Sequence, residues 1–163
     1  MSGKCLKLSE RLKTVASYIV DGACVADIGT DHGFLPVYLA QTGLARRIIA
    51  SDKSAGSLKA ALRSAERYGV TDKISFVTAP GLSGVGEADV DTVVIAGVGG
   101  ERIIEILTGA PWTKRGDVRL ILQPQTKIGI LRSWLGDNGY TIIETKQALD
   151  KGRVYSVILV QAS

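Results

Sequence analysis

Five short apolar runs recur along the chain, at residues 24–28 (CVADI), 47–51 (RIIAS), 74–79 (ISFVTA), 91–97 (DTVVIAG) and 118–124 (VRLILQP). Helical spacing follows four of them, over residues 34–43, over 56–68, from Gly99 in GGERIIEILTG, and over 127–138. Runs this apolar suit strands covered on both faces. Their alternation with helices implies a parallel sheet, because each return crosses one face. Leu8, Leu12, Val15, Ala16 and Ile19 share one helical face, so a leading helix is expected over 9–20, capped by Ser9 and ended by Asp21 and Gly22. Gly43, Gly69 and Gly139 read as helix stops. The last two runs, YTIIETKQALD and GRVYSVILVQ, read as an antiparallel hairpin turning near Asp150–Gly152. The expected fold is α/β, a mostly parallel seven-stranded sheet ending in an antiparallel hairpin, with helices on both faces. The 163 residues fit one domain, 1–163, with one sizeable core.

Composition narrows the class. The N-terminal MSGKCLKLSERLK carries charges where a signal peptide is apolar, and no run approaches a membrane span, so a cytoplasmic protein with no membrane partner is expected. The two cysteines, Cys5 and Cys24, lack metal-ligand or disulfide spacing, so no metal site is expected. A net charge of +4 is compatible with a polyanionic partner but also with none. Trp112 and Trp134 are expected to pack in the core or at its edge.

In an open α/β sheet ligands sit outside the carboxyl ends of the strands. The first such end reads VADIGTDHGFLP, residues 25–36. Gly29 and Gly33 permit a sharp turn and close backbone approach. A pyrophosphate would want N–H groups and no carboxylate nearby, whereas Asp27 and Asp31 stand here. The loop therefore suits a cationic ligand with an amino-acid head and a sulfonium, S-adenosylmethionine rather than NAD. The alternative is Asp31 as a helix N-cap and Asp27 as a turn residue. Asp52, closing RIIASD, can accept from both ribose hydroxyls, or simply end its strand. TAPGL, 78–82, sets a fixed turn at Pro80 and Gly81 where an adenine ring would lie. IAGVGG, 95–100, leaves space at Gly97, Gly99 and Gly100 for a substrate base, or serves tight strand–helix packing. QPQ, 123–125, contacts a base edge or caps the fifth strand with its two amides. His32, the one histidine, reads first as a structural hydrogen-bonder.

The closing hairpin resembles the ending of the class I S-adenosylmethionine-dependent methyltransferases, which share a Rossmann-like sheet. LSERLKTVASYIVDGACVADIGTDHGFLPVYLA, IIASD, IAGVGGERIIEIL, ILQPQ, LRSWLGDNGYTIIE and VYSVILV together resemble the bacterial tRNA (adenine-N1)-methyltransferase family, which modifies adenine 22 of tRNA. The resemblance implies methyl transfer from S-adenosyl-L-methionine to N1 of an adenine in tRNA. It implies a cofactor site built from Asp27, Gly29, Thr30, Gly33, Asp52, Lys53, Pro80, Gly81, Leu82 and Gly97. Asp31, with His32 and Gln125, would act on the base, and Lys53, Arg102, Lys127 and Arg132 could meet phosphates or equally be solvated surface charge. This chain has Val98 where the family has Met, Gln125 where it has Asn, and Pro80 where it has an acid that would hold the cofactor's adenine amino group. Family members continue into a helical tRNA-binding domain, absent before Ser163, so tRNA affinity is expected to be weak. The competing expectations are a non-catalytic module binding S-adenosylmethionine or a nucleoside, and an NAD-dependent oxidoreductase.

Overall fold

The computed structural model describes residues 5–163. The strands are β1 Ala23–Ile28, β2 Ala45–Asp52, β3 Ser75–Thr78, β4 Thr92–Val98, β5 Arg119–Pro124, β6 Tyr140–Asp150 and β7 Arg153–Ala162. They form one sheet in the order β3-β2-β1-β4-β5-β7-β6. β1 to β5 are parallel, and β7 runs antiparallel to both its neighbours. The chain leaves β1 towards β2 and β3 on one side and returns on the other side as β4. That reversal opens a crevice at the carboxyl ends of β1 and β4.

The helices are α1 Glu10–Ala16, α2 Phe34–Thr42, α3 Ala55–Arg67, α4 Gly100–Thr108 and α5 Ile128–Asp137. Strand residues alternate between two buried layers, as the two-residue side-chain period demands. Val25, Ile48 and Ala50 pack with Val15, Ile19, Leu35 and Leu39 beneath α1 and α2. Ala26, Ile49, Val93 and Ile95 pack with Ile103, Leu107, Leu131 and Leu135 beneath α4 and α5. Trp112 and Trp134 are half-buried against this second layer, as expected. Among the described residues no helix is long and apolar enough to cross a membrane.

The leading helix is shorter than its apolar pattern implies. Ser9 caps it through an Oγ that accepts from the Leu12 N–H at 3.3 Å, but it ends at Ala16, with Ser17 as C-cap. Tyr18 and Ile19 are buried all the same, held by turns onto Val15 O and Ala16 O. Burial of the apolar stripe therefore outlasts the helical hydrogen bonding.

Helix α2 begins at Gly33, whose φ is 71°. Pro36 sits in the first turn, where no intrahelical donor is needed. A Cβ on Gly33 would stand 2.7 Å from Ala61 Cβ, so this glycine brings α2 against α3. Gly33→Ala should lower stability by about 2–4 kcal/mol, from the left-handed backbone and the overpacking together. In an Ala61→Gly background the same change should cost less, because the 2.7 Å clash is gone and only the backbone strain and a 3.0 Å approach to the residue 61 Cα remain. Urea unfolding of the four proteins in the double-mutant cycle measures that coupling.

Candidate functional site

The loop after β1 is clipped to the end of β2. The N–H groups of Gly29 and Thr30 both donate to Ser51 O, at 2.9 and 3.0 Å. The next N–H, from Asp31, donates to Asp52 Oδ2 at 3.1 Å. Asp52 Oδ1 accepts from Ser54 N–H at 3.0 Å. Gly29 makes this turn with φ 72°, and an added Cβ there would meet nothing within 4 Å. The carboxylate of Asp52 is thereby fixed at the strand end, 8% exposed, with lone pairs left over for a ligand.

A cleft of about 690 Å³ opens over these ends. Its lining includes Asp27, Gly29, Thr30, Asp31 and His32 from the β1–α2 segment, Asp52 and Lys53 from β2, and Gly81 after β3. Gly97 in β4, Arg102 in α4 and Gln125 just after β5 line its other side. Three residues expected at the cofactor lie outside that lining. Gly33 is taken up by the α2–α3 contact. Leu82 is buried with the α4 core. Pro80 sits in the turn between two lining residues, Ala79 and Gly81. Of the four cations expected at phosphates, Lys53 and Arg102 line the cleft. Arg102 also pairs with Glu105 at 2.9 Å, while Arg132 is turned to Thr145 Oγ1 on β6.

Asp27 forms the buried floor. Its Oδ2 accepts from Thr30 Oγ1 at 2.8 Å. Loss of solvent pushes its carboxyl up to about 7, and the negative charge of Asp52 adds to the rise. The Thr30 hydrogen bond and the positive charge of Arg11 act the other way. Asp31, by contrast, is 71% exposed at the mouth, with φ 55°. It is not a helix cap, because α2 starts from Gly33 with no side-chain cap. Asp27 is not a turn residue either, since it lies within β1. His32 stacks on Phe34 with ring centroids 5.4 Å apart, and its Nε2 is 4.0 Å from Asp31 Oδ2.

The opposite wall depends on the first amide of QPQ, expected to meet a base edge or cap its strand, which instead serves as a buried junction. Gln123 is fully buried. Its Oε1 accepts from Arg11 Nη1 at 2.7 Å and from Gly97 N–H at 3.0 Å. Its Nε2 donates to Pro124 O at 3.0 Å and to Gln125 Oε1 at 3.1 Å. The register of β4 on β5 slips between Ala96 and Val98, so Gly97 is a bulge whose N–H the ladder cannot satisfy. Gln123 satisfies it and ties α1, β4 and Gln125 together. Gly97 faces the cleft, whereas a Cβ on Gly100 would stand 2.5 Å from Lys127 O, so close packing accounts for that glycine. An Arg on a leading helix carries no local signal of this role. A polar residue in the apolar run RLILQP was the one hint available.

Asp27 binds its proton more tightly folded than unfolded, so its contribution to stability is fullest below about pH 4 and is lost as pH rises to about 7. Asp27→Asn escapes this loss. Its melting temperature relative to the parent protein should rise between pH 5.5 and pH 8 and level off above, as thermal unfolding at stepped pH will measure.

The methyltransferase-domain family matches residues 8–158. The chain is 38% identical over 157 residues to the tRNA (adenine(22)-N(1))-methyltransferase of Bacillus subtilis (strain 168), covering 96% of this chain and 66% of that enzyme. It thus spans just under two thirds of that relative's length. It superposes on the crystal structure of the B. subtilis M1A22 tRNA methyltransferase TrmK with a TM-score of 0.90 at 37% identity, over 97% of this chain and 68% of that one. The M. capricolum TrmK complex with S-adenosyl-homocysteine gives a TM-score of 0.84 at 31% identity, over 96% of this chain and 69% of that one. Fold, cleft and these similarities agree that the chain belongs to the bacterial tRNA (adenine-N1)-methyltransferase family of class I methyltransferases.

Proposed function

We propose that this domain binds S-adenosyl-L-methionine in the cleft and transfers its methyl group to N1 of an adenine in tRNA. The observation that carries the reading is the pair of carboxylates at adjacent parallel strand ends, Asp27 buried and Asp52 fixed by two backbone N–H groups. A cleft of about 690 Å³ falls within the roughly 300–1,000 Å³ of small-molecule sites. When bound, the cofactor supplies an electrophilic methyl group on a sulfonium.

The residues fit such a ligand. Asp52 has free lone pairs for the two ribose hydroxyls. Asp27 is a carboxyl that ionises readily once a cation replaces the missing solvent. Arg11, with one donor committed to Gln123, has others for the carboxylate of the amino-acid head. Gly29 and Gly97 keep side chains out of the cleft between them. Gly81 keeps the adenine end open, and Pro80 shapes its turn without lining it.

The reaction is an in-line displacement, so holding N1 and the methyl carbon in line supplies most of the acceleration. N1 is engaged in a Watson–Crick pair within a duplex, so the base must be unpaired or flipped out. Methylation leaves positive charge on the ring. Asp31 at the mouth is placed to offset it, and the His32–Phe34 stack and Gln125 flank the space the base would enter. The hydrogen bond from Gln123 occupies Gln125 Oε1, so the Gln125 amide turns its donor end outward. A cytoplasmic setting goes with a tRNA substrate.

Isothermal titration should give a micromolar dissociation constant for S-adenosylmethionine, weakened at least tenfold by Asp52→Ala, and no signal with NAD. The wild-type affinity should weaken as pH falls from 7 to 5.5, approaching tenfold per unit, because the Asp27 proton must first leave. Radiolabelled methyl transfer to unmodified tRNA, mapped to the nucleotide, tests the second half. Cofactor binding with no transfer to any tRNA would leave a binding module and overturn the enzymatic reading.

A further inference from the structure

The β6–β7 hairpin is longer than the sheet it closes. β5 pairs with β7 only through Leu120↔Val160, Ile121↔Leu159 and Leu122↔Ile158. β7 pairs with β6 much further, out to Asp150↔Arg153. Residues 153–157 are therefore hydrogen-bonded in the sheet only to β6. Because β7 is antiparallel to β5, this unsupported part projects past the carboxyl edge, where the cleft opens. Asp150, Lys151 and Tyr155 from it line the cleft.

Core packing accounts for the base of the extension, where Val157 and Ala148 are buried, but not for its tip. Two cross-strand partners near its tip, Leu149 and Val154, are 66% and 67% exposed. A two-stranded ribbon has little stability of its own. The turn is costly as well: Lys151 and Gly152 both adopt left-handed backbone, φ 52° and 77°. Gly suits that conformation and Lys does not. The segment thus keeps a cation at a position that favours a glycine or an asparagine.

The arm also lies on the correct side. The strand order puts Asp52, at the end of β2, on one side of β1, and β4, β5 and β7 on the other. With the nucleoside half of the methyl donor on the β2 side, the acceptor must enter from the β5 and β7 side. There Tyr155 is half-buried, and its hydroxyl has no hydrogen-bond partner among the described residues. Its ring is free to serve as a stacking face.

We propose that this arm grips the acceptor nucleotide, Tyr155 stacking on the adenine drawn into the cleft and Lys151 meeting a neighbouring phosphate of the RNA. The inference rests on the methyltransferase reading above and extends it to the RNA side. Aromatic stacking on an unpaired base is tolerant of sequence, so the arm holds the nucleotide and leaves the choice of base to the cleft floor and mouth.

The test uses the full chain, unmodified tRNA and separate readouts for cofactor and RNA. Tyr155→Ala should lower kcat/KM for tRNA by roughly ten- to a hundredfold while the dissociation constant for S-adenosylmethionine stays within twofold. Tyr155→Phe should keep most of the activity, because the ring and not the hydroxyl is used. Lys151→Gly removes the ammonium and relieves the turn, so loss of folding cannot explain its effect. It should raise KM for tRNA and reduce the slope of log KM against log salt by about one. Parental kcat/KM in both Tyr155→Ala and Lys151→Gly, with the wild type active, would overturn the arm's role alone. So would a loss in Tyr155→Ala matched by an equal loss of cofactor affinity. A wild type that binds the cofactor and methylates no tRNA would overturn the methyltransferase reading and the arm with it.

Discussion

Three successive backbone N–H groups, from Gly29, Thr30 and Asp31, are bonded to the end of β2. A parallel sheet ends in unsatisfied backbone groups at its carboxyl edge, and this clip satisfies several of them at once. It holds the β1–α2 loop flat against the neighbouring strand. Thr30 is then in place to donate to Asp27, Asp31 is turned out to the mouth, and Asp52 is immobilised. The ligand-facing geometry of this half of the cleft follows from that single set of bonds.

The clip also sets the electrostatics. It leaves Asp27 buried with one neutral donor, close enough to Asp52 to feel its charge. Such a carboxyl ionises less readily than an exposed one even with Arg11 nearby, and a further positive group would favour its charged form. A buried acid of this kind is a cost to the empty fold and a gain on binding a cation. This asymmetry is what separates the site from a pyrophosphate cradle, in which N–H groups converge and carboxylates are absent.

The far wall is built on a different principle. Gly97 breaks the β4–β5 ladder, and the fully buried Gln123 repairs the break with its own side chain. All four hydrogen-bonding positions of that amide have a partner, which makes it a rigid junction. Through it the N-terminal helix reaches the cleft: Arg11 lies across the bulge, where a Cβ on Gly97 would be 3.6 Å from its Nη1. Two walls that are distant in sequence are thus braced against each other around one floor residue.

The sequence by itself determined the alternation of strands and helices, the closing hairpin, and the sheet edge where the cleft opens, with Asp27, Gly29 and Asp52 on it. These are local properties: apolar period, glycine at a turn, an acid at a strand end. It also supported the family, because IGTDHGFLP and IAGVGG are specific when found together. Only the tertiary structure decided which glycines line the cleft and which serve packing, since Gly29 and Gly33 read alike until α3 brings Ala61 against one of them. It decided that Asp31 is exposed and Asp27 buried, although they are four residues apart. It brought in Arg11, Gln123 and Tyr155, from a helix and two strands far along the chain. Burial and long-range hydrogen bonding depend on what packs against a residue, and its sequence neighbours do not carry that information.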